Sequence, residues 1–387
     1  MKTKYQYSIQ PNEIAGFIAL LDCADFYAQE RGEKGKWLKQ FPELKNTKFE
    51  ELVDYIRDES QFEKKYPFRK LTQLFLPKIH TVDDFKKYIT QFRPKEADKI
   101  NVMIDSVYPV YQKFYKNNEV KLTDIAQHTT EFLNKIAIEP LKQVWTFFNP
   151  VYHPEKKQIT VHMFPTVITG QRGTSFHVAR EDQSTQEKRF LLQEDQQWIG
   201  LGIDILKGRP SHEVGSTCST IYHEKVHGLF HDSGAYQKLA VWLDSDNKIV
   251  KALEDHPELK RNPNVSDKNE AHMMINESLT SAFQGILEEK VRGKIRTVLY
   301  ENHVINTMAH KVIPLLKDAM ETGETFGPEF MKKFEKEFVS SIAEMQKLVH
   351  EKQMGTTGLY STLSDGKQEG KNLTVRQASL AQNQQHT

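Results

Sequence analysis

The runs QITVHMFPTVI (158–168), TSFHVA (174–179) and WIGLGIDIL (198–206) decide the fold class of this chain, because they interrupt a pattern that is otherwise helical. In each, β-branched and aromatic residues alternate or cluster, and the turn-rich TGQRG and the polar REDQSTQEKR separate them. Short runs of this composition, bounded by turn residues, read as strands. They predict a small sheet over residues 158–206, antiparallel or mixed, with antiparallel hairpins as the simplest way to build it.

Upstream of these runs the period is helical. Apolar residues recur at steps of three and four in EIAGFIALLDCADFY (13–27), FEELVDYIRD (49–58), VDDFKKYITQF (82–92) and INVMIDSVYPVYQKF (100–114). The pattern continues through residues 122–148, with a break or kink expected at Pro140. Helical periodicity returns at about residue 217 and holds to 352, with loops near 255–266 and 321–328. The chain therefore reads as α+β, mainly α. A helical N-terminal region spans residues 1–147 and a second part spans 148–352, formed by the sheet and the helices of 217–352. A polar tail at 353–387 lacks apolar periodicity and is expected to be disordered.

Composition narrows the functional classes. At 387 residues the chain is long enough for two domains or one large one. Its 53 basic and 52 acidic residues leave a net charge of +1, which removes the general electrostatic case for nucleic acid. No apolar run approaches the roughly 18 residues needed to span a bilayer, so no membrane partner is expected. The start MKTKYQYSIQPNE lacks an apolar signal core, which points to a cytoplasmic protein or to export by a route needing no N-terminal signal. Two cysteines, Cys23 and Cys218, are too few for a disulfide scaffold or a thiolate zinc cage.

Four of the 15 histidines fall in SHEVGSTCSTIYHEKVHGLFH (211–231), and within it His223-Glu224-Lys225-Val226-His227 reads HExxH. On a helix two histidines four residues apart lie on one face, about 6 Å apart along the axis, and both imidazoles reach one ion. Zinc takes such nitrogens and keeps a position for water when its site is catalytic. Glu224 flanks the same face, where its carboxylate accepts a proton from that water. Gly215, Ser216 and Thr217 suggest the helix start, with Gly228 and Gly234 as exits. Lys225 points about 160° away from the histidines and is expected in solvent, while His212-Glu213 reads as loop.

A two-histidine site needs a third ligand. His231 continues the four-residue series, but on a straight helix it lies about 12 Å along the axis from His223. Glu277, in KNEAHMMINESLTSAFQGILEEK, is the better candidate, 277 − 227 = 50 residues beyond His227. A carboxylate between Met273 and Ser281 is an odd charge without a partner. Glu270, one heptad earlier on the same face, is its main rival.

HEKVH followed by MINESLTSAF resembles the gluzincin metallopeptidases, over at most residues 198–290, with Asn276, Glu277, Ser278, Thr280 and Phe283 carrying the second half of the likeness. The resemblance implies a zinc peptidase of peptide or protein substrates, with His223, His227 and Glu277 as Zn2+ ligands and Glu224 as general base. The spacing to Glu277 is longer than in thermolysin-like enzymes. An oxyanion stabiliser, usually His or Tyr beyond the third ligand, has four unranked candidates: Tyr300, His303, His310 and Tyr360. Peptide deformylases also use HExxH, but Cys218, five residues before His223, is poorly placed to be their cysteine ligand. The competing reading is a non-catalytic helical binding or interaction protein whose metal is structural or absent.

Overall fold

The structure is a computed structural model and describes residues 6–21, 33–62, 79–92, 94–149, 158–167, 171–181, 190–207, 210–245, 247–300 and 302–353. The tail expected to be disordered lies outside these residues, save for its first member at 353. The chain is mainly α with a small mixed sheet. Among the described residues four strands, β1 (Gln6–Pro11), β2 (Gln158–Thr166), β3 (Gln171–Glu181) and β4 (Phe190–Gly202), lie side by side as β1-β2-β4-β3. β1 runs parallel to β2 and β2 parallel to β4; β3 alone is antiparallel, to β4.

Two features of the sheet depart from expectation. β2 and β3 do not form a hairpin, because β4 lies between them. Alternation says which face a side chain takes and is silent about the direction of the neighbour. In β2 nearly every side chain from Ile159 to Phe164 is buried, so both faces are covered. Such strands pair in parallel within a core. The second departure is β1, a polar hexapeptide that offers little strand signal. Its edge is closed by a side chain: Asn134 accepts from the Tyr7 N–H at 2.8 Å and donates to the Tyr7 carbonyl at 3.0 Å. That amide satisfies the groups an unpaired edge leaves open.

The N-terminal helices are α1 (Glu13–Leu21), α2 (Glu33–Gln40), α3 (Phe49–Phe62), α4 (Val82–Phe92), α5 (Ala97–Ile136) and α6 (Ile138–Phe148). α5 has 40 residues, about 60 Å at 1.5 Å per residue. Ile100, Ile104, Val107, Tyr111, Phe114, Leu122, Ile125 and Leu133 give it one buried stripe. The break expected at Pro140 falls at Ala137, which leaves the proline in the first turn of α6, where its missing N–H is harmless. Buried apolar side chains from Tyr7 to Met345 form one core cluster across residue 147.

After β4 come α7 (Ile203–Lys207), α8 (Pro210–Asp232), α9 (Ala235–Leu243), α10 (Lys248–Asp255), α11 (Asp267–Arg292), α12 (His303–Thr322) and α13 (Pro328–Gln353). The strand expected to reach residue 206 stops at Gly202. α8 starts at Pro210 rather than near 217, so His212 and Glu213 are helical and Gly215, Ser216 and Thr217 are not its cap. Gly228 is likewise inside α8 and buried, whereas Gly234 turns the chain with φ +78°. Among the described residues no helix is long and apolar enough to cross a membrane.

α8 is clasped from both sides. Cys218 turns its thiol to the Thr129 carbonyl of α5, 3.9 Å away. Lys225, two turns on along the same stripe, is only 2 % exposed. It is not the solvated lysine expected, because α8 packs against α5 and the sheet, and that face is not open to water as it would be on a lone helix. On the other side a cluster of phenylalanines locks α8 to α11. Phe148 stacks edge-on against Phe230 of α8 at 5.3 Å and against Phe283 of α11 at 5.7 Å. The Phe326 N–H donates to the Phe147 carbonyl at 2.7 Å and closes the cluster from beneath α13. Aromatic pairs in this geometry add to the burial of their area, so the separation of α8 and α11 is held by the core rather than by the polar groups between them.

Candidate metal centre

α8 and α11 face each other antiparallel through two ridges of every fourth residue. Ser219, His223 and His227 form the ridge on α8; Asn276, Thr280, Gln284 and Glu288 form the ridge on α11, with Glu277 beside it. Residues four apart are neighbours along a helix surface. The two ridges therefore meet as matched rows of polar groups in an otherwise apolar interface.

His223, His227 and Glu277 converge in this interface, and their ligand atoms lie within 4.8 Å of one another. The two Nε2 atoms are 3.0 Å apart, and Glu277 Oε2 stands 3.5 Å from the first and 3.4 Å from the second. Donors about 2.05 Å from a tetrahedral ion are about 3.3 Å from each other. The three separations match that geometry. The Glu277 carboxylate oxygen is buried and has no hydrogen-bond partner among the described residues.

The outer nitrogens explain why the inner ones face each other. His223 Nδ1 lies 2.9 Å from Gln284 Oε1, and His227 Nδ1 lies 3.1 Å from Asn276 Oδ1 and 3.2 Å from Thr280 Oγ1. An amide oxygen accepts only, so each Nδ1 carries the proton and each Nε2 turns its lone pair inward. Two lone pairs and a carboxylate oxygen then share one small space, which requires a proton or a cation between them.

The titration of the pair shows the same demand. Burial alone would lower the His227 pKa, but the charge of Glu277, supported by Glu224, drives it up to about 9. Burial alone would raise Glu277, yet the imidazolium of His227 and the neighbouring His223 hold it well below the usual carboxylate range. Both shifts favour a positive charge between His227 and Glu277.

Glu224 is half-buried on the flank of α8, and its carboxylate does not join the group of three. Its charge still reaches His227. The rival Glu270 is elsewhere: it is 1 % exposed and accepts the backbone N–H of Arg261 at 2.5 Å, pinning the loop ahead of α11. His231 lies in the exposed last turn of α8, its ring stacked on Tyr236 at 4.4 Å.

Of the four downstream candidates Tyr300 is beside the site. Its ring lies nearly parallel to that of His223 with centroids 6.4 Å apart, and its hydroxyl oxygen accepts from Arg261 Nη1 at 3.0 Å. His310 points its Nε2 at the Thr297 carbonyl, 3.0 Å away, in the loop between α11 and α12. His303 opens α12, and Tyr360 lies outside the described residues. Sequence reasoning missed the partners of the two histidines and the role of Arg261. The four-residue rhythm of polar residues on buried α11, from 276 to 288, is the signal that would have found the partners.

No protein-family model, curated protein or solved structure matches this chain.

Proposed function

We propose that the chain is a zinc-dependent peptidase of the gluzincin kind. The observation that carries the reading is the convergence of two inward-facing imidazole lone pairs and a buried Glu277 oxygen, which faces both imidazoles, at the spacing of a tetrahedral site. Three ligands among the described residues, with side chains still 15–18 % exposed, suit a centre that leaves one position to water and substrate.

His223, His227 and Glu277 would hold the ion, which supplies Lewis-acid polarisation of a carbonyl and acidifies water. Glu224 accepts the proton of the attacking water and returns it to the leaving amine. Tyr300, whose ring lies against His223 and whose hydroxyl oxygen is held by the Arg261 guanidinium, would donate to the oxygen that becomes negative as the carbonyl is attacked. β3 is an edge strand of the described sheet and packs beside α8, and an extended peptide would pair with its main chain there.

The test is Glu224→Gln in the full chain, assayed for peptide hydrolysis and for bound zinc. Retained zinc with turnover lost is the expected result. Full activity in the variant would refute the mechanism, and zinc without hydrolysis of any peptide by the parent chain would favour a structural metal in a binding protein.

A further inference from the structure

Behind His223 the two ridges continue into a buried hydrogen-bond chain that the hydrolytic reading does not use. Gln284 Nε2 donates to Ser219 Oγ at 2.7 Å and stands 3.4 Å from Glu288 Oε1. Ser219 Oγ donates to Glu288 Oε1 at 2.5 Å. Arg296 closes the chain from the loop after α11: its Nε donates to Glu288 Oε2 at 2.7 Å and its Nη2 to Ser219 Oγ at 3.2 Å. Ser219, Gln284 and Glu288 are each 4–7 % exposed, and Arg296 reaches the surface.

The direction of every bond follows from one end. A carboxylate paired with a guanidinium accepts only, and Arg296 holds Glu288 through charge-assisted bonds. The single proton of Ser219 is therefore spent on Glu288, and its oxygen accepts. Gln284 must then turn its NH2 toward Ser219, which leaves its carbonyl oxygen for His223. That oxygen takes the Nδ1 proton of His223 and sends the Nε2 lone pair toward Glu277 and His227.

We propose that Glu288 and Arg296 are positioning residues that set the tautomer of His223 through Ser219 and Gln284, and so control how tightly the centre holds its metal. The inference rests on the metal-site reading above. It assigns a purpose to a carboxylate buried in the interface, where a well-packed apolar residue commonly serves stability as well. Outer partners of a ligating histidine typically govern about 10- to 100-fold of metal affinity.

The experiment uses the full chain and Zn2+ alone. Glu288→Met removes the acceptor that orders the chain, frees the Ser219 proton and lets the Gln284 amide turn over. Zn2+ affinity is expected to fall about 10- to 100-fold, and long-range 1H–15N spectra of the metal-free protein to show His223 changing from the Nδ1–H form to a mixture. Adding Gln284→Glu restores an acceptor-only partner to His223 and is expected to return affinity and tautomer together. A purely structural role for Glu288 predicts no such rescue, and unchanged affinity and tautomer in Glu288→Met would overturn the proposal. Failure of the parent chain to bind Zn2+ would remove the metal-site reading instead, while the His223 tautomer in the metal-free variants would still decide whether the relay operates.

Discussion

His223 Nε2 and His227 Nε2 stand 3.0 Å apart on one face of α8, each with its Nδ1 turned to a side-chain amide oxygen of α11. Imidazoles do not hold that arrangement for its own sake, because the lone pairs repel. Something positive belongs between them and Glu277, and that requirement gives the account its testable consequences.

The first concerns metal removal. Binding to the folded chain alone stabilises it, by about 2.7 kcal/mol when free metal is 100-fold above its dissociation constant. Zn2+ should raise the melting temperature of the parent chain and leave that of His223→Ala unmoved, as followed by calorimetry with and without chelator.

Glu277 and Glu270 should separate cleanly. Glu277→Ala is expected to lose metal while keeping its fold. Glu270→Ala leaves the backbone N–H of Arg261 without its buried acceptor, a loss of about 1–3 kcal/mol, and keeps the metal. Metal content and melting curves of the two variants decide this, and hydrogen exchange in residues 257–266 should rise only in the second.

The pH dependence of the metal-free chain follows from the raised His227. A folded pKa of about 9 against an ordinary 6.5 contributes stability that is fully present below 6.5 and is lost as the pH rises through 9. Denaturation of the chelated protein should show stability falling across that window. Zinc-loaded protein should not follow this fall, since the ion replaces the proton, and uptake of zinc at neutral pH should release a proton measurable as a buffer-dependent binding enthalpy.

The aromatic lock makes a prediction away from the polar groups. Phe283→Ala opens the contact with Phe147 and Phe148 and should cost about 3–5 kcal/mol. Because Phe283 helps set the separation of α8 and α11, zinc affinity should also fall, although the side chain makes no bond to any ligand. Chemical denaturation and a zinc titration of the variant check both parts.

Legibility in the sequence tracked how local each signal was. His223, Glu224 and His227 lie within five residues, and a helix brings the two histidines together without help from the rest of the chain. Glu277 was visible as a charge between Met273 and Ser281 and through a likeness to known peptidases; its approach to the histidines depends on the packing of α11, which the phenylalanines set. The order of strands was not legible, since alternation in β2 is the same whichever neighbour it takes. β1 has almost no apolar pattern and is held by Asn134, 127 residues away. Lys225, solvated on a lone helix, is buried for the same reason: distant elements pack over α8. Tyr300 was one candidate among four until the loop after α11 placed it against His223.

X-ray absorption at the zinc edge of the reconstituted full chain tests the central claim most directly. The account predicts two imidazole nitrogens and oxygen ligands at about 2.0–2.2 Å, with one imidazole lost in His227→Ala and one oxygen changed in Glu277→Ala. A sulfur ligand, a third imidazole, or a spectrum identical in all three proteins would contradict it.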